Sequence, residues 1–405
     1  MKQKNEKGIT LVAMVVTIII LLILASVSIN LTLGDNGIII KAKEAKRKSQ
    51  EGYINEEFAI NLIENEIKNN INSIDSNPGK LEGSGTKENP YVINSVEDFI
   101  FLQYDVTNGN TYEGKIVKLG YDMDFNANNA YADPNSLDYK KYGYNGEIKK
   151  YIQENGINPI GITNYTDDNL LKSYSFNGEF DGNGKTISNL KMNCNQNNTG
   201  YNAYGLFAYC SGNIHDLYIE NCDYNIKIAS NKFMGIGILV GTLGEEGKIT
   251  NCHVSGNMNV YSGTENNVGG IVGANNGEVS NCYSSANIKS VFFNSLESNP
   301  AQRCGGVAGV NEAKGNMKNC YFNGTFEITQ NEESSLRCFR TYVGGVCGYN
   351  LNEIDNVYNV GTIKETDKEN KDILIGGSIG TNWNGTGKEI NACYYLENCI
   401  LISTE

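Results

Sequence analysis

The last 200 residues repeat themselves, and a repeat is the strongest constraint a sequence can place on its fold. Tyr204-Gly205-Leu206-Phe207-Ala208 opens one unit and Gly237-Ile238-Leu239-Val240-Gly241 the next. Gly269-Gly270-Ile271-Val272-Gly273, Gly305-Gly306-Val307-Ala308-Gly309, Gly344-Gly345-Val346-Cys347-Gly348 and Gly376-Gly377-Ser378-Ile379-Gly380 follow. Successive starts lie 33, 32, 36, 39 and 32 residues apart. Each opening leads to a small turn and a second short strand marked by Asn221-Cys222, Asn251-Cys252, Asn281-Cys282, Asn319-Cys320, Asn356-Val357 and Asn391-Ala392. A unit of two or three short strands cannot bury an apolar face by itself, so neighbouring units must stack on one another.

That reasoning predicts a mainly β chain, a β-solenoid of six units over residues 201–405. The repeat-start glycines permit tight corners and close approach between coils. The asparagines can form a ladder of stacked amides at a bend. Cys222, Cys252, Cys282 and Cys320 are expected to form an inward column, continued by Val357 and Ala392. Valine and alanine at the same place point to a small buried side chain, since free cysteine packs as a small apolar group. Inter-coil disulfides or a metal are the alternatives. The chain holds 11 cysteines, an odd number for a fully paired framework.

A second feature stands at the N-terminus. Ile9 to Leu33 carries no charged residue, and 25 residues at about 1.5 Å each cross a hydrocarbon core of about 30 Å. A single-pass membrane helix over 9–33 is therefore expected. Lysines precede the span (Lys2, Lys4, Lys7) and basic residues follow it (Lys41 to Lys48), so flanking charge leaves the orientation open. Beyond it, Ile60, Ile63, Ile67, Ile71 and Ile74 form one helical stripe, which extends a long N-terminal helix through a spacer at 34–76. Residues 77–86, with Pro78-Gly79 and Gly83-Ser84-Gly85, read as a flexible linker. Residues 87–200 read as a β-rich lead-in, with strands in Thr86–Ile93, Ile116–Leu119 and Phe176–Phe180 and a short helix over Glu97–Tyr104. Asp181-Gly182-Asn183-Gly184 resembles part of a calcium loop but lacks its downstream glutamate. A Gly-rich turn between two strands is the preferred reading.

Composition narrows the function classes. A net charge of -13 argues against nucleic acid as partner. With two histidines, His215 and His253, in different repeats, no His-Glu-x-x-His helix of a zinc peptidase exists. No pair of carboxylates stands out by spacing. The expectation is a binding protein with no catalytic residues, no cofactor and no metal.

Two resemblances add to this reading. Lys7-Gly8-Ile9-Thr10-Leu11-Val12 resembles a type IV prepilin segment, which implies a leader over 1–8 cleaved between Gly8 and Ile9. Ala13 stands where major pilins usually carry glutamate, and an uncleaved signal anchor is the alternative. The repeats resemble GLUG motifs, most clearly in Gly269 to Tyr283. GLUG motifs occur in bacterial surface adhesins and in metallopeptidases that cleave immunoglobulin A, so the resemblance implies an exported β-solenoid. Together they imply a membrane-tethered protein with an extracellular C-terminal domain, adhesin-like or minor-pilin-like. Its expected partners are the membrane, pilin subunits, and a host or surface glycan or protein, with Tyr201, Tyr204, Tyr218, Tyr283, Tyr321 and Tyr394 available for contact. An architectural envelope spacer and a carbohydrate-active β-helix enzyme are the alternatives.

Overall fold

A computed structural model of the chain describes residues 81–126, 156–161, 164–165, 174–196, 201–228, 234–263, 265–292, 301–330, 340–365, 373–383 and 390–402. The expected leader at Gly8 and Ile9, the membrane helix at 9–33 and the spacer at 34–76 lie outside them. Among the described residues no helix is long and apolar enough to cross a membrane.

The repeats wind into a three-faced parallel β-solenoid of about five turns. The first face stacks Tyr201–Tyr204, Met234–Gly237, Asn266–Gly269, Ala301–Gly305, Arg340–Gly344 and Ile373–Gly376. The second stacks Phe207–Cys210, Val240–Leu243, Val272–Asn275, Ala308–Asn311, Cys347–Asn350 and Ile379–Asn382. The third and longest begins with Tyr91–Ile93, Ile116–Leu119 and Glu179–Ser188, and passes through the 16-residue strand Asn213–Ile228. Short strands from Lys248–Thr250 to Ile400–Ile402 continue it. Register is residue on residue: Gly237 pairs with Gly269, Gly305 with Gly269 and Gly344, and Gly344 with Gly376. Tyr204 pairs with Ile236, so Gly205, one residue after the expected start, is the equivalent of Gly237.

These glycines are demanded by space. A Cβ on Gly269, Gly305, Gly344 or Gly376 would lie 2.1, 2.1, 2.0 or 1.8 Å from the carbonyl oxygen three residues on, where the chain turns from the first face to the second. The next position is set by its partner across the coil. It is the buried Leu206 and Ile238 in the first two coils, then Gly270, Gly306, Gly345 and Gly377. A Cβ on Gly306 would sit 2.1 Å from the Phe322 ring, and one on Gly377 2.2 Å from the Tyr395 ring. Glycine at these two positions makes room for an aromatic ring across the corner.

A buried asparagine ladder closes the turn from the second face to the third. Asn275 Nδ2 donates to Asn311 Oδ1 at 2.7 Å, Asn311 to Asn350 at 2.8 Å, and Asn350 to Asn382 at 2.8 Å. Asn275 Oδ1 also accepts the Gly277 backbone N–H at 3.0 Å. The earlier coils fill the same column with Cys210 and Leu243. Sequence reasoning placed an amide ladder at the Asn-Cys bend and missed this one.

At the N-terminal end, strand Tyr91–Ile93 and the parallel Ile116–Leu119 flank helix α1, Val96–Thr107. Ser95 caps it by accepting the Asp98 N–H at 3.0 Å, and Asp98 accepts the Asn94 N–H at 2.9 Å. Its buried Val96, Phe99, Leu102 and Val106 join the same continuous core as the coils. The helix runs one residue earlier and three later than expected, because Asn108 closes its C-terminus. The expected strand at Phe176–Phe180 is instead Glu179–Ser188. Asp181 to Lys185 forms a corner inside that strand, whose two parts pair with the same neighbour.

Two substitutions test this packing, both read by urea denaturation of the purified full chain in detergent. Gly344→Ala is expected to cost about 2–3 kcal/mol, because backbone must move to admit the methyl group. Asn311→Ala removes one of two hydrogen-bond partners from Asn275 Nδ2 and from Asn350 Oδ1, and is expected to cost about 2 kcal/mol. Unchanged midpoints would refute the respective account.

Candidate binding face

The outer side of the third face carries a row of stacked aromatic rings and an asparagine ladder. Its geometry starts from left-handed backbone. Asp216, Asn251, Asn281, Asn319, Asn356 and Ala392 have φ of 53°, 52°, 55°, 53°, 49° and 47°. Asparagine and aspartate tolerate this region better than other non-glycine residues. Asn319 Nδ2 donates to Asn281 Oδ1 at 2.9 Å and Asn356 Nδ2 to Asn319 Oδ1 at 2.8 Å, while Asn251 donates to Asp216. This ladder is exposed, unlike the buried one.

The corner sends the following residue inward and the one after it outward. Cys252, Cys282, Cys320 and Val357 are buried in the inward column, at positions equivalent to Leu217 and Cys393. The thiols of Cys282, Cys320 and Cys252 donate back across the corner to the carbonyls of Ser280, Lys318 and Thr250 at 3.1, 3.2 and 3.3 Å. Burial pushes the Cys282 and Cys320 thiols well above the usual cysteine range. Cys252, Cys282 and Cys320 are free thiols.

Two members of the expected column lie elsewhere. Cys222 follows a second left-handed corner at Asn221, farther along the same long strand, and pairs with Gly256 rather than with the residues before His253. The Asn-Cys signature matched, but the first coil makes the equivalent corner with Asp216-Leu217. Ala392 occupies the corner itself, and Cys393 takes the inward place opposite Val357.

The outward residues are Tyr218, His253, Tyr283, Tyr321, Tyr358 and Tyr394, paired in succession. Ring centroids of His253 and Tyr283 lie 3.9 Å apart, Tyr283 and Tyr321 4.6 Å, and Tyr321 and Tyr358 4.9 Å, with interplanar angles of 16°, 4° and 4°. The rings therefore turn their faces to one another; the tyrosines present their edges outward, while His253, 8% exposed, is buried against Tyr283 and Ser285. Tyr394, 63% exposed, keeps an open ring. Tyr204, expected among the contact residues, is 1% exposed and belongs to the core. The side chain of Tyr201 lies outside the described residues.

At the N-terminal end of the same face, coil-on-coil register gathers an imidazole and three carboxylates. His215 Nδ1 lies 2.8 Å from Asp216 Oδ2 and 3.8 Å from Asp181 Oδ1, and its Nε2 lies 3.4 Å from Glu179 Oε1. Lys118 Nζ reaches Asp181 Oδ2 at 3.3 Å. Burial opposes the charged form of His215, but the hydrogen bonds to Asp216 and Glu179 outweigh it and raise its pKa. Sequence reasoning missed this cluster, since Glu179 and Asp181 reach His215 only through the pairing of Asp181 with His215. The run from Asp181 to Gly184 was the only local signal.

Residues 264–289 and 340–364 match the GLUG motif. Each match starts at the first face and ends on the third, so one motif corresponds to one coil. Halomucin of Haloquadratum walsbyi is 28% identical over 200 residues, which is 49% of this chain and 2% of halomucin. The chain thus spans a small fraction of that relative's length. The crystal structure of a candidate immunoglobulin A1 protease from Bacteroides ovatus superposes with a TM-score of 0.51 at 19% identity, covering 80% of each chain. That likeness concerns the fold alone.

The inward column yields a test. Among the described cysteines, Cys393 is partly accessible and the others are buried. Maleimide labelling of the native chain, mapped by peptide mass spectrometry, should modify Cys393 quickly and Cys252, Cys282 and Cys320 only after denaturation. Rapid native labelling of Cys282 would overturn the column.

Proposed function

We propose that this chain is an adhesin-like surface protein. In this reading Ile9–Leu33 holds it in the cell membrane, the solenoid lies outside the cell, and the third face contacts a polymeric ligand, a surface glycan or an extended protein. The observation that carries the proposal is the in-register outer row from Tyr218 to Tyr394, beside an exposed asparagine ladder. A linear ligand laid along the solenoid axis meets an edge of the aromatic row in successive coils and the corner amides from Asn251 to Asn356, at the roughly 4.8 Å spacing of β-strands. Stacking holds these groups rigid before any ligand arrives, which lowers the entropy lost on binding. The matches to the GLUG motif and to halomucin support a repeat protein of the cell surface. Cleavage after Gly8 would add association with a pilus.

The row can be tested without dismantling it. Tyr283→Phe, Tyr321→Phe and Tyr358→Phe together keep the stacked rings and remove three hydroxyls. Cells displaying the full chain are assayed on glycan and matrix-protein arrays. The proposal expects a ligand whose signal falls at least about tenfold in the triple variant, with the melting temperature nearly unchanged. Undiminished binding would move the contact elsewhere. An array without any ligand would favour the architectural spacer.

A further inference from the structure

The cluster around His215 has the makings of a cation site, and we propose that Asp181, His215 and Asp216 bind one divalent transition-metal ion of the zinc class. One ligand atom from each residue lies within 4.8 Å of the other two. His215 Nδ1 lies 2.8 Å from Asp216 Oδ2 and 3.8 Å from Asp181 Oδ1, separations that one ion about 2.0–2.2 Å from each atom can span. The donor set joins one imidazole nitrogen to carboxylate oxygens, which suits zinc better than calcium, whose sites take six to eight oxygens.

The remaining atoms of the three residues are already held, as outer partners hold metal ligands. The 2.8 Å contact of His215 Nδ1 with Asp216 Oδ2 is a hydrogen bond from the ring N–H, so a bound ion would take the place of that proton, while the proton on Nε2 faces Glu179. Asn251 donates to Asp216 Oδ1, leaving Oδ2 beside the imidazole. Lys118 neutralises Asp181 Oδ2, while Oδ1 faces the histidine and also accepts the Asn183 N–H at 2.7 Å. These supports come from three separate segments of chain, at Lys118, Glu179–Asn183 and Asn251.

Charge balance points the same way. Glu179, Asp181 and Asp216 confront the single ammonium of Lys118. Two negative charges remain in excess. Protonation of His215 offsets one of them, whereas a divalent ion with neutral imidazole offsets both. The residues are half-buried rather than enclosed, so an ion can enter from solvent. Three protein ligands leave at least one position open to water or to a ligand's oxygen. The site lies on the same outer face as the aromatic row but shares no residue with it, so the two proposals stand or fall separately.

The test uses the full chain in detergent, stripped with chelator and titrated calorimetrically with zinc chloride. Cobalt(II) absorption reports the coordination of the same site. The expected result is one binding event per chain that weakens at least about tenfold in both Asp181→Asn and His215→Ala. Asp181→Asn keeps the oxygen that accepts the Asn183 N–H, and circular dichroism confirms that both variants fold. Absence of zinc binding, or binding equally tight in either variant, overturns the assignment.

Discussion

The exact stacking of one coil on the next governs this molecule. In a parallel ladder each residue meets its equivalent from the neighbouring coil, at about 4.8 Å, on the same face. Whatever side chain a position carries must therefore tolerate a near-copy of itself on either side. Aliphatic residues do so by packing, asparagines by passing an amide hydrogen bond along the column, and tyrosines by stacking. Charged residues do so with the opposite sign alongside, as Lys289 with Glu327 at 2.6 Å, or beside neutral neighbours, as Arg303 between Asn267 and Tyr342. The three faces and the two ladders follow from this one rule.

The corners enforce the rule at the level of backbone. Between the first and second faces the chain turns so tightly that a Cβ would enter the carbonyl of the third residue on, so glycine recurs there whatever surrounds it. On the third face the corner is left-handed, and asparagine supplies both the tolerated conformation and the amide that links it to the next coil. A corner that reverses which side chain points inward also decides which points outward. The buried thiols and the exposed rings are two consequences of the same backbone dihedral.

This architecture makes chemistry out of residues that are remote in sequence. Glu179, Asp181 and His215 belong to successive coils and gain a common environment only through register. Such a solenoid is a rigid carrier on which function is placed by changing outward positions, while the inward ones keep the coil closed. The likeness to a candidate protease of Bacteroides ovatus belongs to that carrier, and function has to be argued from the outer face.

The sequence by itself determined the repeat, its period and the solenoid, because glycine at a forbidden Cβ position and asparagine at a left-handed corner are local demands that recur once per coil. It also marked Cys252, Cys282 and Cys320 as interior. Tertiary structure decided the rest. Cys222 shares the Asn-Cys signature yet lies at another corner, because strand Asn213–Ile228 bends twice and either bend satisfies the local pattern. Tyr204 and Tyr321 look alike in sequence, but one fills the core and the other joins the outer stack. The buried Asn275 ladder had no legible signature and the His215 cluster only the Asp181–Gly184 run, since only the register of one coil on the next brings Asn275 to Asn311 and Asp181 to His215.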